Sequence, residues 1–164
     1  MYKTLGGLLI RRCVDRLNAG DPQPLLRLFS DNAVLCFPGD NVYATQFRPV
    51  ERGLEAHESH VGKAEIAAFL QRFTEDGIQM QIEDILMGGP PWHIRAAIRG
   101  RARVPAAPGT DDLDRYQNRA VMFAEISWGR IVRQEDYEDT ERSAAFGATG
   151  TVQSLRQSAG HTGE

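Results

Sequence analysis

Leu5, Leu8, Leu9, Cys13 and Leu17 recur at three- and four-residue intervals, drawing one apolar stripe along a first helix. Gly20 ends it, because glycine takes the left-handed C-terminal conformation at least cost. Asp21 offers an N-cap carboxylate to the next helix, and Pro22 suits a first turn where its missing N–H would have no partner anyway. That helix is short, with Leu25, Leu26, Leu28 and Phe29 turned inward, and Ser30-Asp31-Asn32 reads as a turn. Ala33 to Phe37 forms a short apolar strand, stopped by Pro38-Gly39. From Asp40 to Val61 periodicity is lost, and a loop of that length serves as a lid or is mobile. A third helix starts near Gly62, where Ile66, Phe69, Leu70 and Phe73 follow the spacing i, i+3, i+4, i+7, and ends at Gly77.

The second half of the chain switches to a period of two. Ile78, Met80, Ile82 and Leu86 alternate with Gln79, Gln81 and Glu83, and after Gly88-Gly89-Pro90-Pro91 the set Ile94, Ala96 and Ile98 alternates with His93, Arg95 and Arg99. A turn-rich stretch from Pro105 to Asp114 leads to a strand from Tyr116 to Trp128. Ser127-Trp128-Gly129-Arg130 then turns tightly into a last strand, Ile131 to Asp139. Four strands joined by turns with no helix between them pair antiparallel. Glu141 to Phe146 is one helical turn, and the Gly-, Ser-, Thr- and Gln-rich residues 148–164 form a disordered tail behind a single domain, residues 1–147. Helices first and a strand meander afterwards define an α+β class, with a curved antiparallel sheet wrapped around the N-terminal helices and an internal pocket.

Composition narrows the function classes. The 164 residues are 41% apolar and 25% charged, as in an ordinary globular domain, and the net charge of -3 offers no basic face for nucleic acid. The arginines between Arg95 and Arg103 alternate with small apolar residues and read as a solvated sheet face. Cys13 and Cys36 sit among apolar neighbours and read as buried free thiols. No run reaches the ~18 apolar residues of a bilayer span, and no secretory signal is visible, so the expectation is a cytoplasmic protein with no membrane partner. Glu55, His57, Glu58 and His60 lie in an irregular stretch without a metal-ligand spacing, so no metal is expected. There is no glycine-rich nucleotide loop and no Gly-x-Ser-x-Gly elbow, so no cofactor is expected either.

Three phrases carry a resemblance. They are Phe37-Pro38-Gly39 after the first strand, His60-Val61-Gly62-Lys63-Ala64-Glu65-Ile66 at the third helix, and Gly129-Arg130-Ile131-Val132 followed by Glu135-Asp136-Tyr137-Glu138-Asp139. With the order of elements, they resemble the SnoaL-like branch of the nuclear-transport-factor-2-like superfamily over residues 5 to 146. The resemblance implies a cone-shaped fold, a deep apolar pocket and a homodimer through the outer sheet face, with Val121 and Phe123 as contact candidates. Relatives include ketosteroid isomerases, polyketide cyclases, limonene-type epoxide hydrolases, dehydratases and members with no chemistry, so function has to be argued from the site.

Alternation assigns the pocket wall to Ile82, Leu86, Ile94, Ile98, Ala120 and Met122, with Phe37 at the end of the first strand. Asn118 shares that side; a buried amide must be hydrogen-bonded, so it either binds ligand or braces the strand. In the last strand Gln134, Asp136 and Glu138 lie on one face and Arg133, Glu135 and Tyr137 on the other, and neither face is apolar enough to choose. The resemblance chooses. Epoxide hydrolases have a similar glycine–basic–isoleucine turn followed by Asp-Tyr, and their catalytic Asp falls on Asp136, which implies that Gln134 and Glu138 also turn inward. A carboxylate in an apolar wall has a raised pKa, suited to a general acid or base near neutrality. Tyr43 and His60 complete the catalytic candidates, one as a hydroxyl donor to a ligand oxygen and one as a proton shuttle.

The departures matter too. Where epoxide hydrolases place Arg and Asp on the third strand this chain has Ile98 and Gly100, and their first-strand Tyr and Asn fall on Val34 and Cys36. The ketosteroid isomerase base falls on Phe37. The expectation is therefore a cofactor-free acid–base enzyme acting on a small, mostly apolar, partly oxygenated molecule by isomerisation, cyclisation, dehydration or epoxide opening. Asp136 moves the proton, and Gln134, Asn118, Glu138 and Tyr43 orient the substrate oxygen. The competing expectation is a non-catalytic ligand-binding or dimeric interaction module.

Overall fold

The computed structural model describes residues 2–37, 58–106 and 116–146. Its elements are α1 (Tyr2–Asn18), α2 (Gln23–Leu26), β1 (Phe29–Phe37), β2 (Glu58–Val61), α3 (Lys63–Glu75), β3 (Gln79–Gly88), β4 (Ile94–Val104), β5 (Tyr116–Ser127) and β6 (Arg130–Glu138), followed by a helical turn over residues 140–146. Six strands form one curved, open sheet in the order β2-β1-β6-β5-β4-β3. The four strands of the second half pair antiparallel as expected, while β1 joins β6 in parallel. The α+β class holds. Tyr43 and His57 and residues 147–164 lie outside the described residues.

The helices cover the concave face. α1 buries Ile10, Cys13, Val14 and Leu17, whereas Leu5, Leu8 and Leu9 are exposed. Two apolar stripes are interleaved in this helix, and the one that faces the sheet begins at Ile10. α1 also closes the edge of β3: the Asn18 side-chain amide exchanges two 2.8 Å bonds with the Met80 backbone, and Arg11 Nη1 donates to Ile82 O at 2.7 Å. α3 buries Ile66, Phe69, Leu70 and Phe73 at the predicted spacing. These pack with Leu35, Phe37, Ile98 and Met122 into one core.

Three expectations are corrected. β1 begins at Phe29, so Phe29 belongs to a strand and Ser30-Asp31-Asn32 is no turn; Phe29 pairs with Ile131, and tertiary pairing overrides the local turn preference. Residues 58–61 form a strand rather than loop, because β1 offers a free edge on which His60 pairs with Leu35. Leu86 is no part of the pocket wall. The β3–β4 register shifts between Ile82 and Asp84, and one extra residue moves every later side chain to the opposite face. Met80 and Ile82 therefore point inward before the shift, Ile85 and Met87 after it, and Leu86 stands 65% exposed.

Gly100 sits opposite this bulge. A Cβ there would lie 3.0 Å from Gln81 O. Gly100→Ala is accordingly expected to cost about 1–3 kcal/mol, by overpacking against the Gln81 carbonyl. A urea midpoint equal to that of the parent would show that the bulge tolerates a side chain.

Candidate active site in the cone

Residues directly opposite in an antiparallel pair share a face. Ala120, Met122 and Ala124 are buried on the concave side of β5, and their partners on β6 are Glu138, Asp136 and Gln134. Register thus turns all three polar side chains of β6 into the cone. The opposite face carries its own polar system, an Arg133–Glu135 ion pair at 2.7 Å and a Tyr137 hydroxyl donating to Glu135 at 2.9 Å. Phe123 packs edge-on against Tyr137 there, with ring centroids 5.9 Å apart.

Asp136 is the centre of the candidate site. Gln134 Nε2 donates to its Oδ1 at 2.8 Å. Burial among protein atoms pushes its carboxyl up to about 7; the Gln134 bond opposes this, and the negative charge of Glu138 adds to it. Protein atoms crowd the group, and Asp136 still keeps some accessible surface. Among the described residues no lysine or arginine pairs with it. An acid that is about half ionised near neutrality can both take and return a proton.

Asn118 has its amide filled by the protein. Its Nδ2 donates to Tyr116 Oη at 3.0 Å, to Asp139 O at 3.0 Å and to Glu138 Oε2 at 3.3 Å, while Oδ1 accepts from Arg119 N at 2.8 Å. These contacts match the bracing alternative. Burial, then the charge of Glu138, pushes the Tyr116 hydroxyl up to about 12, so it stays neutral. Tyr116, Glu138 and Asp139 form a network with Asn118 that the sequence did not suggest, because Tyr116 precedes Glu138 by 22 residues and meets it only across the β5–β6 pairing.

His60 is buried in β2, stacked on Phe69 at 5.7 Å and edge-on to Phe37 at 5.8 Å. The pairings of Leu35 with Gln134 and with His60 put it on the concave face, two strands away from β6. Strands lie about 4.8 Å apart, so about 10 Å separates the two, a span that a small molecule rather than a hydrogen bond would bridge. Phe37, Ile94, Ile98, Ala120 and Met122 are buried on the same face and Ile82 is partly buried there. Tyr43 lies outside the described residues.

A cleft of about 930 Å³ opens beside α1 and β3 and is bordered by Arg11, Asn18, Met80, Arg101, Asn118 and Arg142, but not by Asp136. Its walls are more polar than the alternation predicted. A second, apolar hollow of about 230 Å³ lies at the other end of the sheet, between Leu9, Ile10, Met87, Pro91 and Trp128. Asp136, the candidate acid–base group, borders neither hollow. Among the described residues no group of three or more His, Cys, Asp and Glu is placed to hold a metal ion, and no helix is long and apolar enough to cross a membrane.

Residues 10–134 match the family model described as the SnoaL-like domain. The chain belongs to the SnoaL-like family. Solved structures share its fold: a loop-truncation variant of IdmH is 18% identical with a TM-score of 0.61, over 85% of this chain and 97% of its own. TerC co-crystallised with polyporic acid is 17% identical with a TM-score of 0.61, over 87% and 98%. A putative ketosteroid isomerase from Kribbella flavida is 18% identical with a TM-score of 0.53, over 80% and 76%. No curated protein matches the chain. The SnoaL-like family includes isomerases and cyclases, and at these identities the likeness speaks for the fold.

Proposed function

We propose that this SnoaL-like protein is a cofactor-free acid–base catalyst, with Asp136 moving a proton on a small, mostly apolar, oxygenated molecule held in the cone. The observation that carries the reading is a carboxyl crowded by protein, raised to about 7 and oriented by Gln134, with no neutralising cation among the described residues. In the ionised form Asp136 takes a proton from carbon beside a carbonyl, or from water; in the protonated form it returns one to the product. Gln134 fixes which oxygen faces the substrate. Glu138 keeps the carboxyl's proton affinity high, and His60 stands across the concave face as a second polar group. The TerC structure with polyporic acid and the putative ketosteroid isomerase support a small oxygenated substrate. A homodimer through the outer sheet face fits the exposed Phe123 and Tyr137.

A binding module without chemistry is the second reading, favoured by a cleft of about 930 Å³ that Asp136 does not border. Incubation with a panel of cyclic ketones, enones and epoxides, followed by mass spectrometry, separates the two. The parent protein should convert one class. Asp136→Asn should lower that rate by about 10²–10⁴-fold, the usual contribution of a positioned general acid or base. Equal conversion by the variant would remove Asp136 from the mechanism.

A further inference from the structure

Gln134 and Asp136 stand two positions apart on the concave face of β6 and hold each other by one bond, Gln134 Nε2 to Asp136 Oδ1 at 2.8 Å. Among the described residues neither side chain has another hydrogen-bond partner, so Gln134 Oε1 and Asp136 Oδ2 are uncommitted. Neither oxygen is a fully buried atom without a partner, so both keep accessible surface. With Asp136 ionised, what the pair leaves open is mostly acceptor: two oxygens against the second N–H of the amide.

That surface suits the start of a proton abstraction and not its result. Taking a proton from carbon beside a carbonyl leaves negative charge on the carbonyl oxygen, and such an oxygen needs a donor. Asn118 is not available for it, because Tyr116, Asp139 and Glu138 occupy its amide. Met122 opposite on β5, Leu35 and Phe37 on β1 and Phe69 on α3 have nothing to donate. The newly protonated carboxyl has the converse need. Its O–H lies against an apolar wall, where an unpaired donor is costly, and Gln134 carries the uncommitted acceptor on the adjoining side chain.

We propose that Gln134 is a proton-coupled donor: when Asp136 takes up a proton the Gln134 amide turns over, accepts the acid O–H with Oε1, and presents Nε2 with both N–H groups to the substrate oxygen. This rests on the acid–base reading above and adds the group that meets the developing charge. The C–H electron pair becomes the double bond of an enolate, the proton goes to the Asp136 carboxylate, and the enolate oxygen accepts from Gln134. Return of the proton to carbon turns the amide back. The last torsions of aspartate and glutamine are broad and roughly two-fold, so the turn needs no repacking. Among the described residues the other titratable groups on this face are Glu138, Tyr116 bonded to it, and His60 two strands away, while the buried side chains of α3 are apolar. The turn therefore answers to the proton on Asp136.

Solution NMR of the full chain, with glutamine amides labelled in nitrogen and aspartate carboxyls in carbon, follows both groups from pH 5 to pH 9 without a substrate. The Asp136 carboxyl and the Gln134 amide should titrate together, with one midpoint at about 7. Above it the two Gln134 amide protons should be split by the bond to the carboxylate, and below it the split should close as the bonded proton is released. Asp136→Asn should abolish the pH dependence of the Gln134 signals. A split that persists while the carboxyl titrates would overturn the inference and leave Asp136 to act alone. A carboxyl that does not titrate between pH 5 and pH 9 would overturn it together with the acid–base reading.

Discussion

Asp136→Asn should raise the melting temperature at pH 8 by roughly 10 °C and leave it nearly unchanged at pH 4. The folded carboxyl titrates at about 7 against an ordinary value of 3.8. Below pH 3.8 both folded and unfolded chains hold the proton, and burial costs nothing through ionisation. As pH rises from there to about 7 the unfolded chain releases its proton and the folded chain keeps it, so stability falls. Above that window the loss is constant at about 4 kcal/mol, the equivalent of about three pH units. Asparagine cannot ionise, and its amide oxygen still accepts from Gln134. Differential scanning fluorimetry across the pH range reads the effect without a substrate. An identical shift at pH 4 and pH 8, or none, would mean that Asp136 is not the strained acid described here. The variant should be both more stable and slower, the usual signature of a group kept for function at a cost to folding.

Asn118→Ala should destabilise by about 1–3 kcal/mol, because it removes a buried side chain bonded to four partners and takes a donor from Tyr116 Oη, while Asp139 O keeps the Ser143 N–H. The urea midpoint should fall while the slope of the transition stays the same, since the same surface is exposed on unfolding. Tyr116→Phe should cost less, about 1 kcal/mol, as it deletes one end of the network and leaves the Asn118–Asp139 bond. A change in Asn118→Ala below about 0.5 kcal/mol would return Asn118 to the ligand-binding role that the bare alternation allowed.

What could be read from the chain follows the range of the interactions involved. The α3 stripe, the alternation of β4 and β5 and the order of elements are local patterns, and the structure keeps them. The inward turn of Asp136 was legible only through a likeness to epoxide hydrolases, because both faces of β6 are polar; the pairing with Met122 supplies the physical reason. Leu86 was misplaced because apolar residues occur at both parities across β3, so no pattern within the strand marks the extra residue at Glu83. The bulge becomes intelligible only with β4 beside it, where the Glu83 carboxylate meets both Arg99 and Arg101. β2 escaped for a similar reason. Four residues carry no period, and only the vacant edge of β1 makes them a strand. The duties of Asn118 depend on Glu138 and Asp139, some twenty residues onward, and no local signal encodes them.

The sheet is open, so β3 ends it with a row of backbone groups that a neighbouring chain could pair with. Two devices deny that neighbour a place. The shift at Glu83 breaks the regular spacing a new strand would need, and α1 spends Asn18 and Arg11 on the carbonyls of Met80 and Ile82. The first helix therefore guards against polymerisation as well as roofing the cone. A chain shortened from its N-terminus would lose more than Ile10, Val14 and Leu17 from its core: it would present a sticky margin to every other copy, and insolubility would precede unfolding.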